Sequence, residues 1–368
     1  MLTQDIKEGE MMTQVVPSYP ITPKEDVTED HFGIRIEDPY RKLENDRSEA
    51  TVAWLKEQQA VTDDFLSRYP HRKAMLERLK ELIDYPKQSV PFKMGDWYYY
   101  SRNDGLQNQW VLYRKASLDG VEEVFLDPNT LSEDGTTRAS WCGYSKDYRY
   151  FSFMVSPSGA DAGEIWTLDS RTKAFLPDKI TNVRHSGASW WKDGFFYSRY
   201  DNKQDYQSQD ANMKIYYHTL GEGTAQDRLI YQDPDNPLRF HHIWVSDDEK
   251  TMFLHSSEGT RGTRILYRAV DGDTEWKTLF EGFEYDAYLF DSYDEGFVYL
   301  FTNKNAPNFR LLKVDLANPQ EEHWQEIIPE RDYVLDSAQI AGGKLLAIFT
   351  KDVSSQIEVF DTAGNYLY

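Results

Sequence analysis

The residues best suited to metal chemistry in this sequence are the adjacent histidines His241 and His242. Imidazole nitrogens bind zinc, but neighbouring side chains of a strand point to opposite faces, so this pair cannot easily hold one ion. Acidic turns such as Asp233 with Asp235 lack the spacing of a calcium loop and are typical of solvated carboxylates. We therefore predict neither a metal site nor any other cofactor.

Nucleophilic chemistry has no clear signature either. An α/β-hydrolase carries its serine in a Gly-x-Ser-x-Gly turn, where small residues let strand and helix approach closely, and the 368 residues do not contain that motif. Cys142 is the only cysteine, which excludes a disulfide framework and a thiolate zinc site. We assign no catalytic residue, and taken alone these residues describe a binding or scaffolding protein.

The elements that would position any site are short β-strands. From Tyr98 to Arg138, three runs of aromatic and β-branched residues are separated by turns at Asp104-Gly105 and Asp119-Gly120. Asp-Gly between two such runs is a strong hairpin signal. This stretch is therefore predicted to form a small antiparallel meander.

The same plan recurs along the chain. Turn signals followed by aromatic runs appear roughly 46 to 55 residues apart, close to the ~40–50 residues of a four-stranded propeller blade. The runs are Trp97 to Tyr100, Tyr148 to Val155, Gly194 to Tyr200, Thr251 to His255, Phe297 to Thr302 and Lys344 to Thr350. We predict six units, the last one incomplete.

The region before the repeats differs in composition. Residues 1–16 are expected to be a flexible tail, and residues 17–84 an arm with a proline-rich extended start and two amphipathic helices. The first helix is predicted to begin near Asp46, which has capping-box spacing to Glu49, and the second to end near Tyr85. Residues 85–368 would form the propeller.

Charge and hydropathy limit the location and the partners. The net charge is −21, which argues against nucleic acid or an anionic membrane as a partner. The first residues carry acidic side chains and no apolar core of a secretory signal, and no run approaches the ~20 apolar residues of a membrane span. We therefore expect a cytoplasmic protein.

Several motifs resemble the prolyl oligopeptidase family in order and spacing, from about Tyr19 to the last residue. They are EDPYRKLE (Glu37 to Glu44), NDGLQNQWVLY (Asn103 to Tyr113), LDPNTLSEDGT (Leu126 to Thr136), FFYSRYD (Phe195 to Asp201), KIYYHTLG (Lys214 to Gly221), TNKNAPNFRL (Thr302 to Leu311) and IIPERDYVL (Ile327 to Leu335). The first departs from the family pattern, because Lys42 stands where members usually have Trp. Their length makes these motifs specific.

The resemblance implies a mainly β protein: an incomplete seven-bladed β-propeller of about five and a half blades, preceded by an arm with two α-helices. Family members are serine endopeptidases that cleave short peptides after proline, and their propeller gates and selects substrates. The catalytic triad and the oxyanion hole belong to an α/β-hydrolase domain, which would follow the propeller beyond Tyr368. The implied partners are short proline-containing peptides and that missing hydrolase domain, and the chain alone is expected to be inactive.

The resemblance also implies three substrate-binding residues. His185 stands where members often have Phe, Phe240 where they often have Met, and Thr260 where some have Cys. Phe240 would keep an apolar wall for the peptide residue three positions upstream of the cut, whereas His185 would make the pocket more polar. The alternative for all three is that they only line the propeller face.

Two other functions remain open at this point. The first is a stand-alone propeller that binds peptides or proteins without catalysis. The second is an acyl-aminoacyl or basic-residue-specific oligopeptidase, although NDGLQNQ and LDPNTLSEDGT fit the proline-specific branch better. If the arm normally packs on a hydrolase domain, Trp54, Leu55, Phe65 and Leu66 should be partly exposed in this chain, and an apolar patch of this kind promotes association.

Overall fold

The computed structural model describes residues 17–200, 211–272, 275–291 and 296–368. The tail predicted for residues 1–16 lies outside the described residues. By their internal contacts, the described residues divide into a smaller unit, 17–86 with 104–106, and a larger unit that holds the rest. None of the helices in the described ranges has the length and hydropathy that would span a bilayer.

The smaller unit begins with a hairpin and continues into helices. Its elements are β1 (Thr28–His31), β2 (Ile34–Glu37), a 3-10 turn (Arg41–Glu44), α1 (Glu49–Ser67) and α2 (Arg72–Ile83). The hairpin replaces the extended path expected for this region, because Phe32 and Gly33 both adopt positive φ (56° and 85°), the geometry of a tight hairpin turn.

The first helix begins two residues later than its sequence pattern indicates. Ser48, rather than Asp46, is the N-cap, and its hydroxyl accepts a hydrogen bond from the backbone N–H of Thr51 at 3.1 Å. Along α1, Leu55, Phe65 and Leu66 are exposed, as predicted. Trp54 is half-buried, since its indole N–H donates to Thr22 Oγ1 at 3.1 Å.

The larger unit is a β-propeller of six sheets, which we call blades 1 to 6. Blade 1 contains β3 (Lys87–Gln88), β4 (Phe92–Met94), β5 (Trp97–Asn103), β6 (Val111–Lys115) and β7 (Glu122–Leu126). Blade 2 contains β8 (Arg138–Tyr144), β9 (Tyr150–Ser156), β10 (Ala162–Asp169) and β11 (Ala174–Arg184). Blade 3 contains β12 (Ser189–Trp191), β13 (Gly194–Tyr200), β14 (Met213–Thr219) and β15 (Arg228–Gln232).

The remaining three blades repeat this antiparallel meander. Blade 4 contains β16 (Phe240–Val245), β17 (Thr251–Ser257), β18 (Arg264–Ala269) and β19 (Lys277–Phe280). Blade 5 contains β20 (Ala287–Asp291), β21 (Phe297–Thr302), β22 (Arg310–Asp315) and β23 (Gln325–Ile328). Blade 6 contains β24 (Val334–Ala341), β25 (Lys344–Lys351) and β26 (Ser354–Phe360). Each aromatic run identified in the sequence overlaps the second strand in the order of its sheet, so the repeat prediction is confirmed.

The core lies between the faces of neighbouring blades. Between blades 5 and 6, for example, the fully buried Tyr299 and Leu311 pack against Leu345 and Phe349. A strand such as β21 is buried on both faces, which explains why its sequence is almost continuously apolar rather than alternating. Aromatic side chains therefore supply much of the area that holds the blades together.

The first strand of each blade lies on the inner side of the ring. Trp244 of β16, Leu289 of β20 and Ile340 of β24 line one cavity of about 290 Å³, although they belong to three successive blades. Such strands can meet only around the central axis. Because every blade has the same strand order, their first strands all begin at the same end of the ring, which we call the upper end.

Candidate functional site

The upper end carries the only ring-to-ring contact between two of the predicted site residues in the described chain. His185 lies just before β12 and Phe240 is the first residue of β16. Their ring centroids are 5.7 Å apart and their planes are perpendicular, so one ring presents its edge to the face of the other. Blades 3 and 4 thus bring together two residues that are 55 positions apart by their numbers.

The backbone around His185 is fixed by contacts with two blades. Ser186 Oγ accepts the N–H of Ser198 at 2.8 Å, and Ala188 donates its N–H to the carbonyl of Cys142 at 2.8 Å. An added Cβ on Gly143 would lie only 2.0 Å from the Ala188 carbonyl oxygen, so this approach requires glycine. His185 itself has φ 54°, an uncommon value for a non-glycine residue. Its exposed ring is therefore held at a defined place.

Phe240 is positioned by the residue that precedes it. Arg239 donates to Asp233 at 3.1 Å and to Glu258 at 2.7 Å, and its guanidinium lies 4.5 Å from the centre of the Phe283 ring. Burial is the largest single effect on the pKa of Arg239 and lowers it, but the two carboxylates together raise this pKa by more, so the net shift is upward. The ion pairs fix the start of β16 and leave the ring of Phe240 half-buried.

Two further histidines extend the site, and the sequence prediction missed them. His242 lies opposite His255 in the β16–β17 pair. Burial lowers the pKa of His255 to about 4. Their pairing could have been found from the turn at Asp247-Asp248, which sets the register of the hairpin. The upper end therefore presents imidazole side chains beside one phenyl ring.

The adjacent histidines His241 and His242 point to opposite faces of β16, as neighbouring residues of a strand do. His241 is 1 % exposed and its Nδ1 lies 2.9 Å from Ser256 Oγ, whereas His242 is exposed on the opposite face of β16. Among the described residues, no group of three or more His, Cys, Asp or Glu side chains is arranged to hold an ion. Burial raises the pKa of the Cys142 thiol to about 12, so a reactive thiolate is not formed there at neutral pH.

Thr260 is exposed in the connection between β17 and β18, which also lies at the upper end, but it stands outside the ring contact. The structure therefore joins two of the three predicted residues directly. An apolar ring edged by imidazoles can hold an apolar or weakly polar side chain. Cleavage of a bound peptide would need, in addition, a nucleophile beside these rings.

Comparisons with known proteins identify the family of this chain. Residues 19–367 match the family model described as prolyl oligopeptidase, N-terminal beta-propeller domain. The chain is 36 % identical over 353 residues to a prolyl endopeptidase of Elizabethkingia meningoseptica, covering 95 % of this chain and 50 % of that protein. It is 30 % identical to prolyl oligopeptidase A of Amanita bisporigera, covering 91 % of this chain and 48 % of that protein.

Solved structures show the same likeness. A structure from a study of two prolyl endopeptidases and their inter-domain dynamics has a TM-score of 0.86 at 27 % identity, covering 95 % of this chain and 52 % of that one. A mutant of prolyl oligopeptidase B from Galerina marginata, bound to a 35mer hydrolysis and macrocyclization substrate, has a TM-score of 0.83 at 26 % identity, covering 96 % and 54 %. The chain spans about half the length of these relatives.

Proposed function

Because this chain belongs to the family of prolyl oligopeptidase N-terminal β-propeller domains, we propose that it is the substrate-selecting part of a serine endopeptidase that cleaves short peptides after proline. The observation that carries the proposal is the contact between His185 and Phe240 at the upper end of the ring. In this role the pair receives the peptide side chain three positions upstream of the cut. Thr260, at the same end, contributes to the rim.

The proposal includes an α/β-hydrolase domain as the partner that supplies the nucleophile. Relatives of about twice this length support that part. Residues 17–84 would act as an arm that packs on the hydrolase domain, residues 85–368 as the propeller, and the cytoplasm as the site of action. Lys42, which replaces the usual Trp of the arm, forms an ion pair with Glu25 instead.

A ring that continues to seven blades is also part of the proposal. Blade 6 has three strands, and residues after β26 begin to pair with it: Leu367 donates its N–H to the carbonyl of Val359 at 2.8 Å, and Val359 donates to Tyr368 at 2.8 Å. This is the pairing that a fourth strand makes in an antiparallel blade. It supports a fourth strand in the sixth blade.

The test of the proposed function is equilibrium binding of the peptide acetyl-Phe-Gly-Pro-Ala-amide to the 368-residue chain, measured by calorimetry. We expect saturable binding that weakens when Gly replaces Phe, because the phenyl side chain is the group received by Phe240. The chain alone should leave the peptide intact. Equal affinity for the Phe and Gly peptides would contradict a selecting role.

The exposed helices of the arm lead to a separate prediction. The apolar face of α2 is open to solvent along its whole length. Its members are Met75, Leu76, Leu79, Leu82 and Ile83. We expect the chain to self-associate as its concentration rises, because burying such a face is favourable. In light scattering, the double variant Leu79→Lys with Leu82→Glu should have a lower apparent mass than the original chain at the same concentration.

The matched control for this prediction is Val121→Lys, which changes a still more exposed apolar residue in the propeller. It should leave the association unchanged. A chain that stays monomeric over the whole concentration range, or a control that disperses it as well as the α2 variant does, would contradict the prediction.

A further inference from the structure

A second cavity at the upper end lies between blades 5 and 6. It has a volume of about 440 Å³, within the range of ligand sites in proteins, and lies away from the contact of His185 with Phe240 in sequence and in the ring. Its wall is formed by Tyr288 of β20, Phe301 of β21 and the first residues of β24. We call it the blade 5–6 pocket.

Two rings of this pocket are stacked, and a third lies beside them at an angle. Phe301 and Phe309 have centroids 4.7 Å apart and planes within 11° of parallel, and Tyr288 lies 6.2 Å from Phe301 on its strand partner. Tyr288 is 51 % exposed, so its ring is open to a ligand. Aromatic faces of this kind attract cations, and the flat guanidinium of arginine stacks on them best.

The loop that carries Phe309 is held in place before any ligand arrives. Phe309 has φ 66°, which is uncommon for a bulky residue and costs free energy. Asn308 compensates by donating its amide to the carbonyl of Arg331 at 2.8 Å and its backbone N–H to Glu330 at 2.8 Å. Strained residues held in this way are concentrated at binding sites, and this one sets the back of the pocket.

The charges at the pocket are negative. Asp336 is exposed in its wall and receives a hydrogen bond from Thr350 Oγ1, while Asp286 is close enough to Tyr288 to raise the pKa of that phenol, after the effect of burial. Among the described residues that line the cavity there is no Lys, Arg or His. The basic neighbours Arg310 and Lys304 form ion pairs with Glu326 and Glu321.

From these observations we infer that the blade 5–6 pocket binds an arginine side chain of the peptide, with the guanidinium over Tyr288 and its charge opposite Asp336. The inference rests on the proposed peptide-binding function and adds a second point of recognition to it. Tyr288 supplies the aromatic face, Phe301 and Phe309 support that face from behind, and Asp336 supplies the complementary charge.

The test uses a series of peptides in which a linker of glycines joins Phe-Gly-Pro to Arg, and the number of glycines increases along the series. Each Arg peptide is matched by a peptide that carries neutral citrulline in place of Arg. Binding to the 368-residue chain is measured by calorimetry at about 150 mM salt, which screens general attraction to the acidic protein. We expect Arg to bind roughly three- to fivefold more tightly than citrulline at the spacing that reaches the pocket. Asp336→Asn, which can still accept from Thr350, should remove this advantage, and Tyr288→Leu should reduce it.

Asp119→Asn is the control, because it removes one exposed carboxylate from blade 1 without touching the pocket. This variant should still bind the Arg peptide more tightly than the citrulline peptide, by the same factor as the original chain. Equal affinity of the Arg and citrulline peptides at every spacing, or the same loss in the control as in Asp336→Asn, would overturn the inference while leaving the peptide role intact. If no peptide of either series binds, the peptide role fails and the inference fails with it.

Discussion

Replacing Phe240 by Ala should weaken binding of acetyl-Phe-Gly-Pro-Ala-amide roughly tenfold, the loss expected when one apolar wall of a side-chain pocket is removed. The ring is half-buried against His185, so truncation removes the contact surface and also leaves the His185 ring without its edge-on neighbour. Affinity for the matching Gly-Gly-Pro peptide should hardly change, since that peptide puts no side chain there.

Two further variants make this result specific. Phe240→Met, which keeps an apolar side chain of similar length, should retain most of the affinity. Phe32→Ala removes a fully exposed ring from the β1–β2 turn and should leave binding unaffected. An unchanged preference for Phe over Gly in Phe240→Ala would remove this residue from the site.

A large loss of stability is expected on acidification, and His241 and His255 are two identifiable sources of it. Burial lowers the pKa of His241 to about 4, from an ordinary value of 6.5. The unfolded chain therefore binds a proton below about pH 6.5 that the folded chain refuses until about pH 4, so stability falls as the pH decreases through this window. The difference corresponds to about 3 kcal/mol of unfolding free energy.

The effect is measured by urea unfolding at about pH 7 and about pH 4.5. Carboxylates titrate in the original protein and in every variant, so the informative quantity is the difference in unfolding free energy between each variant and the original protein at each pH. His241→Asn removes the titrating ring. The loss of unfolding free energy caused by this substitution should therefore be smaller at the lower pH. Ser256→Ala removes the 2.9 Å hydrogen bond but keeps the ring, so its loss of unfolding free energy should stay nearly constant. Parallel pH profiles for His241→Asn and the original protein would contradict the assignment.

The repeat architecture could be predicted from the sequence because turn chemistry recurs with it. Ser145 Oγ accepts the N–H of Tyr150 at 2.9 Å in blade 2, and Ser246 Oγ accepts that of Thr251 at 3.0 Å in blade 4. Both turns repeat a Ser-x-Asp pattern, so residues of the turn itself stabilise the reversal in these two hairpins. The strand order then follows, since short turns join neighbouring strands.

The arm shows where local patterns mislead. Asp46 and Glu49 have the spacing of a capping box, yet Ser48 caps α1. Asp46 and Ser48 are both residue types that can cap a helix, and only the path of the preceding 3-10 turn decides between them. The hairpin of β1 and β2 was missed for a similar reason: prolines before Thr28 suggested an extended path, and the signal of Gly33 was overlooked.

The site was only partly predictable. His185 and Phe240 came from the resemblance to a family, and their contact depends on packing between blades that no local pattern describes. His242 and His255 pair across one hairpin, so their positions could have been derived from its register. The blade 5–6 pocket depends on the strained backbone of Phe309, which has no sequence signature.

The most direct test of the central claim, that the upper end of this propeller receives the peptide, is photo-cross-linking. Acetyl-Phe-Gly-Pro-Ala-amide is prepared with benzoyl-phenylalanine in place of Phe, irradiated with the 368-residue chain, and the labelled residues are identified by mass spectrometry. We predict label on the segments that contain His185 and Phe240, lost when unlabelled peptide competes. Label confined to α1, α2 or the outer strands of the blades, or label that resists competition, would contradict the account.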